Sequence, residues 1–118
     1  MTRINVGYPV EKLTTKHLIA EHREIKRIPN TIVSGKAIIK DIPETFRLGT
    51  GHVKFFYNKL GYLLKRYNEL HSECIKRGFK VQDYSESWND VLITLMGDYI
   101  PTNVDKILIQ ERINSKLS

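Results

Sequence analysis

The chain has 118 residues, of which 41% are hydrophobic and 27% charged, and this balance is typical of one soluble globular domain with a single core. Its 19 lysines and arginines against 13 acidic residues give a formal charge of +6, which favours nucleic acid or an anionic membrane surface as the partner. Because no segment reaches the ~20 apolar residues of a membrane span and the polar start has no signal-peptide core, we expect an intracellular protein that is not secreted.

The first five residues, "MTRIN", raise a question about chemistry. Thr2 is small enough for the initiator Met1 to be removed, which would leave the α-amine of Thr2 next to Arg3. An α-amine titrates near pH 8, so about a tenth of it is unprotonated and nucleophilic at neutral pH. These residues alone leave two interpretations open, a frayed chain end and a nucleophile.

The first predicted helix covers residues 14–28, with Thr14 or Thr15 as its cap and Pro29 as its stop. Three cations and one carboxylate share one of its faces, which consists of Lys16, Ala20, Arg23, Glu24 and Arg27. Such a face is either a solvated surface or a nucleic-acid-binding surface. Glu24 repels phosphate, so a purely phosphate-binding face would gain nothing from it. Glu24 therefore either pairs with the neighbouring arginines or serves as a general acid/base.

Two further features of the sequence bear on metals and thiols. His17 and Glu21 stand at i and i+4 on the first helix, a spacing that can hold a divalent ion, but no third ligand has a defined place, so we predict no metal site. The single Cys74 cannot form an internal disulfide and is expected to be a half-buried helix residue.

The rest of the chain also predicts helices. Residues 30–50 indicate an irregular connection with a helical turn or two, and from Gly51 to Gly78 apolar residues recur every three or four positions, which predicts a central helix of ~27 residues. The aromatic residues in this run are expected in the core: Phe55, Phe56, Tyr57 and Tyr67. A short helix around Trp88–Leu95 and a last helix from Asn103 complete an all-α, compact single domain over residues 1–118, with about three main helices around one long central helix.

The chain resembles the phage-type pyrimidine-dimer DNA glycosylase and abasic-site lyase family, also called phage endonuclease V. Five segments carry the resemblance, in the same order along most of the chain: "MTRIN", "HLIAEHRE", "FRLGTGHVKFFYNKL", "ECIKRGF" and "GDYIP". The resemblance implies an all-α monomer that acts on double-stranded damaged DNA without a metal or cofactor. It also implies a location in the host-cell cytoplasm or at the nucleoid.

The resemblance further implies roles for individual residues. The α-amine of Thr2 corresponds to the nucleophile that attacks the deoxyribose C1′ atom and forms a protonated imine, and Glu24 corresponds to the carboxylate of the glycosylase and lyase steps. Family members flip a nucleotide out of the duplex to open a path to C1′. Six residues match DNA-binding positions of the family: Arg3, His17, Arg23, Arg27, Arg112 and Lys116.

The sequence departs from the best-known form of the family in two respects. That form continues into an aromatic and basic tail beyond the position of Ser118. It also carries Tyr and Gln beside the catalytic glutamate, at the positions of His22 and Lys16, so part of the lesion-reading surface is not preserved in this chain. The resemblance therefore supports the lyase chemistry more firmly than the preference for pyrimidine dimers. Trp88 or Tyr99 could stack on bases instead, although core packing is the expected role of both.

Three functions follow as alternatives. The first is a glycosylase and abasic-site lyase for ultraviolet-induced pyrimidine dimers. The second keeps the chemistry but acts on another damaged or modified base, or on abasic sites alone. The third is a basic helical DNA-binding protein without catalysis.

Overall fold

The computed structural model of the protein describes residues 2–117. It contains four α-helices: α1 (Thr15–Glu24), α2 (Arg27–Val33), α3 (Leu60–Lys76) and α4 (Asn103–Leu117). Short 3-10 helices lie at Val10–Lys12, Lys54–Phe56, Ser85–Trp88 and Ile93–Leu95. Within residues 2–117 the only β pairing is one isolated bridge between Lys59 and Met96, so the predicted all-α fold is confirmed. No helix in this part of the chain is both long and apolar enough to cross a membrane.

The first predicted helix is two helices. Thr14 caps α1 as predicted, since its hydroxyl oxygen accepts the N–H of His17 at 3.2 Å. Pro29 does not end a helix but is the third residue of α2. The N–H groups of a helix's first turn have no partner within the helix, so the missing N–H of proline costs no helical hydrogen bond there. The break after Glu24 therefore separates Arg27 from the other residues of the predicted face.

The central helix is shorter than the predicted ~27 residues. α3 has 17 residues, because the N–H of Tyr62 donates to the carbonyl of Gly97 at 3.0 Å instead of to the carbonyl of Asn58. Gly97 can approach this closely only because it lacks a side chain: a Cβ there would collide with the carbonyl oxygen of Asn58. At the other end, Gly78 ends the helix as predicted, with a φ of +84°.

α3 forms the centre of the core and packs against α1 and the Ser85–Trp88 turn. Its buried face includes Leu63, Leu70 and Cys74, and Cys74 is fully buried rather than half-buried as predicted. The predicted core aromatics Phe55, Phe56 and Tyr67 are buried, whereas Tyr57 is half-buried.

The aromatic residues after α3 serve packing. Trp88 is 4% exposed and donates its indole N–H to the carbonyl of Leu60 at 3.1 Å, and Tyr99 meets the ring of Phe55 edge-on. The short helix predicted at Trp88–Leu95 is replaced by two 3-10 turns. The predicted last helix is confirmed as α4, which buries Ile109 and Ile113.

Candidate active site

The N-terminal segment from Thr2 to Asn5 is held by α1 and α4. The backbone N–H of Arg3 donates to Oε1 of Glu24, the last residue of α1, at 3.1 Å. From α4, Nη2 of Arg112 donates to Oδ1 of Asn5 at 2.6 Å and to the carbonyl of Ile4 at 3.5 Å. Two helices that are distant in sequence thus fix the same few residues at the chain's start.

A cleft opens where this segment meets the two helices. Its walls come from the segment, from α1 and from α4: Arg3, Asn5, His17, Ala20, Glu21, Glu24, Arg112, Ile113 and Lys116. A second cleft adjoins it and shares three cationic residues with it, namely Arg3, Arg112 and Lys116. Thr2 lines this second cleft together with Leu48, Gly49, His52 and Val53.

The backbone connection limits the distance between Thr2 and Glu24. The Thr2 nitrogen is joined to the Arg3 nitrogen by two bonds within Thr2 and one peptide bond. The distance between the two nitrogens is therefore at most about 3.7 Å. Because the Arg3 nitrogen lies 3.1 Å from Oε1 of Glu24, the Thr2 nitrogen lies within about 7 Å of that oxygen. The removal of Met1, on which a free Thr2 amine depends, concerns a residue outside the described range.

Charge in the cleft is mixed, and most of it is cationic. Burial, followed by the neighbouring Arg3, lowers the pKa of Arg112, but an arginine remains protonated at neutral pH. Burial and then the cations Lys16, Arg112 and Arg3 lower the pKa of His17, so this ring is mainly neutral at pH 7. Its Nδ1 lies 3.0 Å from the hydroxyl of Thr14, which fixes the ring at the start of α1.

The second carboxylate of the cleft, Glu21, is fully engaged inside the protein. Both of its oxygens accept from Arg66 of α3, at 2.8 and 3.0 Å, and Oε1 also accepts from Asn5 at 2.7 Å. Glu21 and Arg66 are 1% and 4% exposed, so this is a buried ion pair that ties α1, α3 and the N-terminal segment together. Glu21 therefore acts as a structural residue, and Glu24 is left as the carboxylate that faces the open cleft.

The structure brings most of the predicted residues together. Arg3, His17, Glu24, Arg112 and Lys116 line one cleft, and Thr2 lines the adjoining one.

Arg23 and Arg27 are not among the residues that line these two clefts. Arg23 is exposed beside Glu24, with Nη2 3.9 Å from Oε2, and Arg27 lies in a separate groove with Asn30, Thr31, Ser34 and Lys36. The single basic face predicted for the first helix is thus divided between two surfaces, because that helix is broken.

His22 is also placed differently from expectation. The resemblance places this position beside Glu24 on the lesion-reading surface, but His22 is 2% exposed and its Nε2 lies 3.0 Å from Nδ1 of His71. Burial, followed by the charges of His71 and Lys26, lowers the pKa of His22 to about 4. His22 is therefore a neutral packing residue and does not line the cleft.

Sequence reasoning missed three residues that position the N-terminal segment, Asn5, His52 and Arg66. Arg66 carried a usable signal, because it falls on the apolar face of α3 between Leu63 and Leu70, where a charged residue requires a buried partner. Asn5 and His52 are single polar residues in irregular segments and gave no periodic signal.

Comparison with known families identifies the class of protein. A family model described as pyrimidine dimer DNA glycosylase matches residues 1–87 of this chain. The chain belongs to the pyrimidine dimer DNA glycosylase family, whose members are DNA-repair enzymes that act on damaged DNA. The match contains Thr2, Glu24 and His52 and ends before α4, so the contribution of Arg112 and Lys116 is seen in the geometry of this chain alone.

Proposed function

We propose that this protein excises ultraviolet-induced pyrimidine dimers and then cleaves the abasic strand, with the Thr2 α-amine as nucleophile and Glu24 as the catalytic carboxylate. The hydrogen bond from the N–H of Arg3 to Glu24 carries this proposal. It ties the residue after Thr2 to Glu24, which, unlike Glu21, has no buried ion-pair partner among residues 2–117. The first residue of a trimmed chain would therefore present its amine within about 7 Å of a carboxylate.

The proposed reaction begins with bond exchange at the sugar. The nitrogen lone pair of Thr2 attacks C1′, and the glycosidic C1′–N bond breaks with its electrons leaving on the base, which takes up a proton. Opening of the sugar ring moves the C1′–O4′ electrons to O4′, which is protonated, and leaves a cationic imine between C1′ and the Thr2 nitrogen. The Glu24 carboxylate stabilises this charge and assists the proton transfer at O4′.

The same imine makes strand cleavage feasible. It acidifies the C2′ proton, so removal of that proton by Glu24 sends electrons toward C3′ and breaks the C3′–O3′ bond by β-elimination. Hydrolysis of the imine then releases the sugar product and restores the Thr2 amine. These steps use an amine, a carboxylate and water and need no metal or cofactor.

The cations around the cleft supply DNA binding. We assign phosphate contacts to Arg3, Arg112 and Lys116 at the cleft and to Arg23 at its rim. Arg27 serves the same purpose from its separate groove, which would extend the contact along the duplex. His17 is assigned a DNA contact and support of the local geometry rather than proton transfer, in a protein acting as a monomer and a single domain.

The test uses three duplexes in EDTA: irradiated, with a preformed abasic site, and undamaged. We expect nicking of the first two, and sodium borohydride should trap a covalent complex whose attachment maps to Thr2 by mass spectrometry. Nicking of abasic DNA alone would indicate a lyase without dimer excision, and binding without nicking would indicate a non-catalytic protein. An active enzyme that borohydride never traps would reject the imine mechanism.

A further inference from the structure

His52 makes an unusual pair of hydrogen bonds beneath the N-terminal segment. Its Nε2 lies 3.0 Å from the backbone nitrogen of Ile4, and its Nδ1 lies 3.0 Å from the carbonyl oxygen of Arg47. A carbonyl can only accept, so Nδ1 carries the proton and Nε2 accepts the N–H of Ile4. This is the neutral tautomer, and both ring nitrogens have a partner in it.

The surroundings hold this ring in place. His52 is 4% exposed and meets the rings of Phe46 and Phe56 edge-on, with centroids 5.5 Å away in each case. Burial lowers the pKa of His52 to about 4, so the acceptor on Nε2 persists at neutral pH. The charged groups that act on the ring are Arg112 of α4, which lowers this pKa, and Glu21 of α1, which raises it.

Two consecutive backbone N–H groups thus have partners on different parts of the fold. Arg3 donates to Glu24 on α1, whereas Ile4 donates to His52 in the turn before Lys54–Phe56. One hydrogen bond alone would let the segment rotate about its anchor, but two anchors on adjacent residues fix its direction. That direction determines where the preceding residue, Thr2, enters its cleft, and His52 lines the same cleft.

We propose that His52 is a positioning residue which, through its acceptor bond to the Ile4 N–H, aims the Thr2 α-amine at the sugar carbon beside Glu24. This inference rests on the proposed function. His52 takes no proton from the DNA and does not touch the reacting atoms. Its contribution is orientation, and a misplacement of about 1 Å can cost about 100-fold in rate.

Two substitutions separate this role from a packing role. In His52→Gln the side-chain amide oxygen can reach the position of Nε2 and still accept from Ile4, whereas in His52→Asn the shorter amide can donate to Arg47 but offers Ile4 no acceptor. Both lose the imidazole ring and its aromatic contacts, so their melting temperatures should fall by similar amounts. The measurement is the single-turnover rate of borohydride trapping on a duplex with a preformed abasic site, at a temperature where both variants are folded, together with the Kd for that duplex.

We expect the rate of borohydride trapping to be about 100-fold lower in the Asn variant than in wild type. In the Gln variant the rate should stay within about tenfold of wild type, and the Kd should be unchanged in both variants. Equal rates in the two variants, with an active wild type, would overturn the role of His52 and leave the proposed function intact. A wild type that traps nothing would instead overturn the proposed function, and this inference with it.

A measurement on the wild-type protein keeps the inference testable if neither variant folds. In protein labelled with nitrogen-15, the N–H···N bond should give a scalar coupling between the Ile4 amide nitrogen and Nε2 of His52. Detection of this coupling would support the assigned contact, and its absence in the folded protein would overturn it.

Discussion

Glu24 and Arg3 are joined by a 3.1 Å hydrogen bond in which the backbone, not the side chain, of Arg3 is the donor. The bond therefore depends on the path of the chain, and it would survive replacement of the arginine side chain. It also occupies one oxygen of Glu24 and leaves the second, Oε2, toward Arg23 at 3.9 Å. The two oxygens of the carboxylate thus differ: Oε1 anchors the N-terminal segment, and Oε2 lies toward an exposed arginine.

Replacing Glu24 by Gln should abolish chemistry while DNA binding remains. The amide oxygen of Gln can still accept from the N–H of Arg3, so the segment keeps its place, but the negative charge that we propose to stabilise the imine is lost. We expect nicking and trapping to fall by at least about 100-fold, measured on abasic duplex with the Kd determined separately. Glu111→Gln makes the same charge change at an exposed position of α4 and should leave nicking, trapping and the Kd unchanged. Unimpaired turnover in Glu24→Gln would refute the assignment.

Moving the amine by one residue should be as damaging. An alanine inserted between Met1 and Thr2 still permits removal of the methionine, but it displaces the amine by up to about 3.8 Å. We expect trapping to fall by about 100-fold or more. The matched control is Thr2→Ser, which keeps a small second residue and the amine in its place and should retain most of the activity. N-terminal sequencing of each protein verifies the processing.

Lys116 should contribute to affinity without contributing to lesion preference. It is exposed and lines both clefts. Lys116→Ala should therefore weaken binding to damaged and undamaged duplex alike. It should also make the fall of log K with log salt concentration less steep, by about 1 in the slope. Titrations at several salt concentrations measure this slope. Lys76→Ala, in a different groove on α3, is the control, and an unchanged slope in Lys116→Ala would argue against a phosphate contact.

The buried ion pair should matter more for stability than an exposed one. Glu21→Gln leaves the guanidinium of Arg66 buried without its counter-charge and should lower the free energy of unfolding by about 3–5 kcal/mol. Asp98→Asn removes a partner of Lys65 from an exposed pair, whose attraction is screened by water, and should lower the free energy of unfolding far less. Urea unfolding of the two variants tests the difference, and similar losses would contradict the buried character of the first pair.

The buried His22 should make the fold sensitive to acid. Burial lowers the pKa of His22 from 6.5 to about 4. As the pH falls, His22 is therefore protonated near pH 6.5 in the unfolded chain but only near pH 4 in the folded chain. Stability is therefore complete above pH 6.5 and falls as the pH drops from 6.5 toward 4, by about 1.4 kcal/mol per pH unit for such a group. His22→Phe should make the loss between pH 6.5 and 5 less steep in urea unfolding, while an unchanged slope would show that His22 does not titrate in this way.

The sequence predicted those features that local patterns encode. Thr14 as a cap, Gly78 as a helix end and the last helix from Asn103 all follow from short-range chemistry and are present. The central helix was predicted too long because its apolar spacing continues through Phe55 and Phe56, while a carbonyl from Gly97, far along the chain, takes over the N–H of Tyr62. No local pattern could indicate that contact.

The same distinction applies to the candidate active site. Helical spacing placed Glu24 among cations, the first five residues raised the Thr2 amine as a nucleophile, and the resemblance gave both residues a role. None of these could show what aims the N-terminal segment. His52 and Arg112 reach that segment from 48 and 108 residues away. Such partners depend on tertiary folding, so they became visible only in the structure.

Under the proposed mechanism, the double anchoring of Arg3 and Ile4 makes catalysis and global stability separable properties. Local fraying of the first few residues would withdraw the amine from the carboxylate while the helices remain folded. Such an opened molecule would still bind DNA through its cations but would do no chemistry. The equilibrium of this small movement, rather than the unfolding of the domain, would then determine what fraction of bound molecules is competent to cut.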